Sequence, residues 1–242
     1  MNTNAMRILV MIPAYNEEDS IGDVIAQVQA LLPGADILVV DGYSKDRTFE
    51  QALETNVHAM RVSSTYAIGG AVEAGFLFAH RGSYDVLARI DGDGQHDTSD
   101  LAKLVQTVTT GQAEVAIGSR YAESREYRNT LTRTIGITLF AALVSWLTGK
   151  RFTDTTSGLM AANREVIRYV VVDYPFDYSE VEAIVTLHRA GFNVQEVPVT
   201  MRQRATGISS FTSLRAFYYV FKGALSILLE MVRPIPPRRA EP

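Results

Sequence analysis

The stretch VLARIDGDGQHD (Val86–Asp97) runs from an apolar segment straight into an acidic turn. A short apolar run bounded by turn residues reads as a buried strand, here Val86–Ile90. Asp91 and Asp93 follow it, one residue apart. At that place both carboxylates can point at one cation. Mg2+ and Mn2+ take oxygen ligands, and Mg2+ is typically held by one or two carboxylates completed by substrate phosphates. Gly92 and Gly94 let the backbone come close to a ligand. Taken alone, the same residues describe a polar turn, because Asp-Gly is a common turn pair. The spacing lacks the further ligands of a calcium-binding EF-hand. His96 is a candidate ligand or acceptor contact, although a lone loop histidine is more often merely exposed. The rest of the chain decides between these readings.

Outward from this stretch, short apolar runs alternate with segments of helical spacing. Strands are expected at Ile8–Ile12, Ile37–Val40, Val57–Val62, Val86–Ile90 and Val115–Ile117. Helices are expected at Glu18–Leu32, Asp46–Glu54, Gly69–Ala79 and Ser99–Thr110. This order means βαβ units and a mostly parallel sheet with helices on both faces. In such sheets the ligand sits outside the carboxyl ends of the strands. The unusual polar residues fall there: Pro13-Ala14-Tyr15-Asn16-Glu17, Asp41, Asp91-Gly92-Asp93 and Gly118-Ser119-Arg120. Beyond them the chain reads as helix-rich, with one further strand at Val194–Val199.

Composition bounds the function classes. The chain has 242 residues, 47% hydrophobic and 21% charged, enough for a sizeable core. A net charge of −4 argues against a general nucleic-acid binder, so an anionic ligand must be held by local features. With no cysteine, disulfides, thiolate metal sites and a cysteine nucleophile are excluded, and a cytoplasmic location fits. The N-terminus reads as carrying no signal peptide. Two apolar segments, Ile135–Leu147 and Phe217–Val232, fall short of a membrane span. They read either as buried or dimer-forming helices, or as interfacial helices. The second is flanked by Arg215, Lys222, Arg233, Arg238 and Arg239, which suits an anionic membrane surface.

Together, IPAYNEE, VVDGYSKDRT, the Gly69-Gly70 helix start, DGDGQH, GSRY, TDTTSGLMAANRE and EVPVTMRQRATGISS resemble glycosyltransferase family 2. They are most similar to its dolichyl-phosphate or polyprenyl-phosphate sugar transferase branch. The resemblance covers about residues 7 to 210. It implies a GT-A fold: a Rossmann-like, mostly parallel sheet flanked by helices. A nucleotide half would span about residues 1–120 and an acceptor half about 121–210, followed by a C-terminal amphipathic helix and Pro/Arg-rich tail over 211–242. It also implies a nucleotide-sugar donor (a GDP- or UDP-sugar), Mg2+ or Mn2+, and inversion at the anomeric carbon. The acceptor would be a polyprenyl phosphate, met at the cytoplasmic membrane face.

Carried over by position, Pro13, Tyr15 and Glu17 would line the nucleoside, and Asp41 would contact base or ribose, with Gly69 at the nucleotide-facing helix start. Asp91 and Asp93 would hold the metal with Gln95 beside it. Arg120, Arg133 and Arg204 would face the diphosphate or the acceptor phosphate. A lipid phosphate is already ionised and needs no strong base. A hydroxyl acceptor (glycan, lipid or metabolite) would need a carboxylate base. Asp154 is the first candidate for that role. Asp177, Glu180 and Glu182 follow it, although they read rather as caps or solvated helix face.

Three departures stand out. Gly42-Tyr43 replaces the family's usual Asp-Gly after Asp41, Ser210 stands where the branch has Lys, and hydrophobic spans carried by many relatives are missing. The altered pair also raises a degenerate nucleotide-binding protein as a rival reading, opposed by the intact Asp91 and Asp93. A sugar-nucleotide-forming nucleotidyltransferase is disfavoured, because IPAYNEE has neither Gly nor a basic residue.

Overall fold

The computed structural model describes residues 6–63, 67–122, 131–173, 180–201, 227, 231–233 and 238. Seven strands in these residues form one sheet, ordered β3-β2-β1-β4-β6-β5-β7. They are β1 (Ile8–Ala14), β2 (Asp36–Asp41), β3 (His58–Arg61), β4 (Val86–Arg89), β5 (Val115–Ser119), β6 (Met160–Asn163) and β7 (Val194–Pro198). All neighbours run parallel except β6, which is antiparallel to both β4 and β5. The helices are α1 (Ile21–Leu31), α2 (Thr48–Glu54), α3 (Ala67–Arg81), α4 (Thr98–Thr109), α5 (Leu131–Thr148), α6 (Arg164–Asp173) and α7 (Glu180–Arg189).

The continuous apolar strands follow from burial on both faces. Along β1, Leu9 and Met11 join a core with Leu38, Val40, Phe76 and Val166. Val10 and Ile12 join the opposite core with Val24, Ile25, Val39 and Leu104. Each such side chain contributes roughly 1.5–3 kcal/mol by leaving water. On the first face α3 lies close to β1 because residue 75 is glycine: a Cβ there would stand 1.8 Å from Met11 Sδ. Gly75 thus permits a tight helix–sheet contact.

The sequence reading did not separate β6 from its surroundings. Its four residues, MAAN, contain no β-branched or aromatic side chain, so local propensity gives no strand signal. Alanine is there for packing. Ala161 pairs with Ala88 on one side and Ala116 on the other. The three alanines belong to the core that Leu101, Leu104 and Val108 of α4 close.

A second difference concerns the first helix, expected from Glu18. The helix begins later, at Ile21, after a turn in which Ser20 N and Ile21 N donate to Glu17 O. Asn16 instead sits at φ 55° and accepts from Lys45 N at 2.9 Å. The C-terminal amphipathic helix expected over 211–242 lies almost wholly outside the described residues.

At the sheet end opposite the site, Tyr84 Oη donates to Asp36 Oδ2 at 2.7 Å under the Arg7 guanidinium. Burial and then the Asp36 carboxylate push the Tyr84 phenol up from about 10 to about 12. Between those pH values the folded chain holds a proton that the unfolded chain releases, so stability falls as pH rises through that window. Tyr84→Phe should flatten this limb in urea midpoints measured against pH. An unchanged alkaline limb would contradict the assignment.

Candidate active site

The ends of β1, β2, β4 and β5 lie on one rim, as the parallel order requires. The inserted β6 runs the other way, so its N-terminal approach, Thr153–Gly158, enters the same rim between the ends of β4 and β5. This loop organises the centre of the site.

At the β4 end, Arg89 is buried within the strand. Its Nη2 donates to Asp91 Oδ1 at 3.3 Å and its Nη1 to Glu180 Oε1 at 3.1 Å. Burial alone would raise the Asp91 carboxyl. The Arg89 charge and the His96 ring outweigh burial and hold it well below the usual carboxylate range. Asp91 is therefore ionised at neutral pH. It rests against Gly158, where a Cβ would stand 2.4 Å from Asp91 Oδ2. Asp93 is half-buried and accepts from Gln95 N at 3.0 Å, with Gly94 at φ 69° between them. His96 is not the exposed residue it was read as: it is buried, with Nε2 3.8 Å from Asp91 Oδ2.

The β1 and β2 ends are laced together. Asn16 N donates to Ser44 Oγ, Glu17 N to Thr48 Oγ1 and Glu18 N to Asp46 Oδ2. Asp41 lies beneath this lacing. It is fully buried, accepting from Ser44 N at 3.2 Å and Arg61 Nε at 3.0 Å. Asp41, expected to contact base or ribose, here braces the loop from inside. The exposed groups here are Tyr15 and Tyr43, at 51% and 62%. Gly42 lies between them, 3.6 Å from the Tyr15 ring at its Cβ position. Tyr43 adopts φ 68°, a conformation that costs an L residue roughly 1–2 kcal/mol. Arg61 lies near it, 5.9 Å from the Tyr43 ring centroid and 4.2 Å from that of Phe49. Pro13 is buried on β1, its carbonyl accepting from Gly92 N, and Gly69 is buried in the first turn of α3.

At the β5 end, Arg120 and Asp154 form a buried fork. Arg120 Nε donates to Asp154 Oδ2 at 2.5 Å and Nη2 to Asp154 Oδ1 at 2.7 Å. Nη2 also reaches Thr156 Oγ1 at 2.9 Å. Asp154 is 0% exposed and accepts further from Arg120 N and Thr156 N. Glu196 of β7 fixes the loop from behind, accepting from Thr153 N, Thr153 Oγ1 and Asp154 N at 2.7–2.9 Å. Asp154, expected as a base, is therefore a locked partner of Arg120, with both oxygens engaged away from solvent. Glu180, the other described candidate besides Glu182, is tied to Arg89.

Arg133 lies in the first turn of α5, and Arg204, Ser210 and Asp177 lie outside the described residues. Sequence reasoning missed Arg89, Gly158 and Glu196 as site residues. Arg89 had a signal: a charge inside a buried apolar run must be paired. The other two act through contacts that only the sheet order brings about.

A family model described as "Glycosyl transferase family 2" matches residues 9–171. The chain belongs to this family. Polyprenol monophosphomannose synthase of Mycolicibacterium smegmatis is 34% identical, over 90% of this chain and 86% of that one. Undecaprenyl-phosphate mannosyltransferase of Micrococcus luteus is 31% identical, over 86% of this chain and 88% of that one. In structure, glucosyl-3-phosphoglycerate synthase of Mycobacterium tuberculosis, bound to UDP, superposes with a TM-score of 0.73 at 21% identity. The superposition covers 95% of this chain and 82% of that one. The fold is GT-A, and the protein is a nucleotide-sugar-dependent glycosyltransferase.

Gly158→Ala should displace Asp91 while leaving the sheet intact. We expect a donor Kd raised tenfold or more in calorimetry, with the fold weakened by no more than about 1–3 kcal/mol, the usual range for overpacking. Unchanged donor affinity would show that the Asp91–Gly158 contact does not position the carboxylate for binding.

Proposed function

We propose that this glycosyltransferase moves a hexose from a GDP- or UDP-sugar to a polyprenyl phosphate, with Mg2+ or Mn2+ at Asp91 and Asp93. The observation that carries the acceptor class is the locked Asp154. A hydroxyl acceptor needs a base to take its proton. A phosphate oxygen arrives ionised and attacks directly. The similarity, over 86–90% of each chain, to relatives named for polyprenol and undecaprenyl phosphate supports the same reading.

The metal site is argued from its donor set. Asp91 is held ionised by Arg89, and Asp93 follows on the same turn. Both offer hard oxygen, with the Gln95 amide beside them. Among the described residues no three His, Cys, Asp or Glu side chains gather around one point. A cation here would therefore complete its shell from the donor diphosphate and water. The structural neighbour has been solved with Mn2+ and UDP, at a TM-score of 0.71. When bound, the ion supplies Lewis-acid neutralisation of the leaving diphosphate.

The chain's own residues do the rest. Tyr15 and Tyr43 offer ring faces to the base, while Asp41, Ser44 and Asn16 keep their loops in register. Glu17 and Pro13 complete the nucleoside side, and the α3 start at Gly69 lets the backbone approach. Arg133 and Arg204 are the cations proposed for the phosphates. The acceptor oxygen bonds to the anomeric carbon as the bond to the diphosphate oxygen breaks, inverting that carbon. Holding the two in line supplies much of the rate.

The test is transfer of labelled sugar from a panel of GDP- and UDP-sugars to undecaprenyl phosphate in detergent. Label should enter the lipid phase with Mn2+ or Mg2+ present. Asp93→Ala should cut turnover by at least about 10²-fold, on the scale of losing an electrostatic stabiliser, with an unchanged melting temperature. Label entering only water-soluble hydroxyl products would reject the lipid-phosphate acceptor. Full turnover by Asp93→Ala would reject the metal site.

A further inference from the structure

Arg89 is a charge where the sheet needs none. It ends β4 and is buried. Leu87, two residues earlier and so on the same face, belongs to the core that α3, α6 and α7 close. An apolar side chain at position 89 would extend that core. Replacing a buried ion pair by apolar residues is often neutral or stabilising, so stability does not account for the arginine.

Among the described residues its guanidinium carries two carboxylates, one more than its charge requires. Nη1 donates to Glu180 Oε1 at 3.1 Å, and Nη2 donates to Asp91 Oδ1 at 3.3 Å. Two carboxylates on one guanidinium leave one net negative charge among the three. The Asp91 side chain stays 32% exposed at the rim, while that of Arg89 lies behind it at 3%. Glu180 opens α7 and comes from 91 positions further along the chain. Asp91 alone would neutralise Arg89, so the acid delivered by α7 has another use.

We propose that Glu180 is a positioning residue for the cation site: it shares the Arg89 guanidinium, so that Asp91 keeps negative charge to offer a divalent ion. This role rests on the metal proposed at Asp91 and Asp93, and goes beyond it by naming what sets the strength of that site. A cation at Asp91 competes with Arg89 for one carboxylate. Without the Glu180 charge, the guanidinium would act on Asp91 alone and the pair would be neutral. With it, a net negative charge remains behind the rim and attracts a dication. Such interactions count for more in a half-buried site than in water. Groups that hold a metal ligand from behind change metal affinity by roughly 10–100-fold when mutated.

The test is Mn2+ binding to the intact protein, followed by the paramagnetic resonance signal of the free ion. Glu180→Gln keeps a hydrogen-bonding partner for Arg89 and removes only the charge. It should raise the Mn2+ Kd roughly 10–100-fold. In the sugar-transfer assay the Mn2+ concentration for half-maximal rate should rise by the same factor. The kcat at saturating Mn2+ should stay within about threefold of wild type, the pattern of binding lost equally in ground and transition states. Combining Glu180→Gln with Arg89→Met removes the competing cation as well. That double variant should recover a Mn2+ Kd within about threefold of wild type, a coupling that a merely structural role would not produce.

Wild-type Mn2+ affinity in Glu180→Gln would overturn the role of Glu180. So would weak binding that persists in the double variant, which leaves no guanidinium to share and so tests the idea even if Glu180→Gln is unstable. Either result, with Mn2+ binding lost in Asp93→Ala, rejects the part played by Glu180 and leaves the metal site standing. A wild-type chain that binds no Mn2+ would reject the metal site and Glu180 with it.

Discussion

The buried fork between Arg120 and Asp154 is the contact on which the site's shape depends. Arg120 ends β5, and Asp154 belongs to the loop that enters β6. Because β6 runs antiparallel between β4 and β5, this loop must cross the rim where the substrate is expected. The fork fixes it there, with Thr156 on the same guanidinium and Glu196 capping Thr153 and Asp154 from β7. Four residues further on, Gly158 lies beneath the Asp91 carboxylate. The geometry of the acidic turn is thus set partly from a loop over sixty residues away in sequence.

Electrostatics reinforce this division of labour. Arg89 and Arg120 have side chains only 3% exposed, and each is matched by carboxylates: Asp91 and Glu180 for the first, Asp154 for the second. Isolated buried charges are costly, and pairing with good hydrogen bonds offsets that cost. Both arginines are therefore committed to the frame. Arg89 has a further effect, since its charge keeps Asp91 ionised against the pull of burial. The frame holds an ionised carboxylate at the rim, and the exposed tyrosines stand at the β1 and β2 ends.

Much of this was legible from sequence, for identifiable reasons. Strands β1, β2, β4 and β5 announce themselves because burial on both faces demands uninterrupted apolar residues. Their polar ends fall on one rim because parallel strands share a direction. Antiparallel β6 was hidden, since Ala161 is chosen for closeness to α4 rather than for strand propensity, while Ala162 faces the opposite core. Asp41 and Asp154 were legible as acids at the right place but not in their roles. An acid after a strand looks the same in sequence whether it faces solvent or lies under a loop. What buries Asp41 is Ser44 and Arg61, and what locks Asp154 is Arg120, all placed by tertiary contacts. Tyr43 was visible as a departure, but not its left-handed backbone or its exposure.

The central claim is that Asp154 acts as a strut for the site and not as its base. Asp154→Asn tests it most directly, with unfolding free energy and kcat measured on the same preparation. Removing one charge of a buried pair leaves the other unpaired, so the account predicts a loss of about 3–5 kcal/mol in stability. It predicts that kcat of the folded fraction stays within about tenfold of wild type. Wild-type stability with turnover lowered by about 10³-fold would contradict the account and return Asp154 to the chemistry.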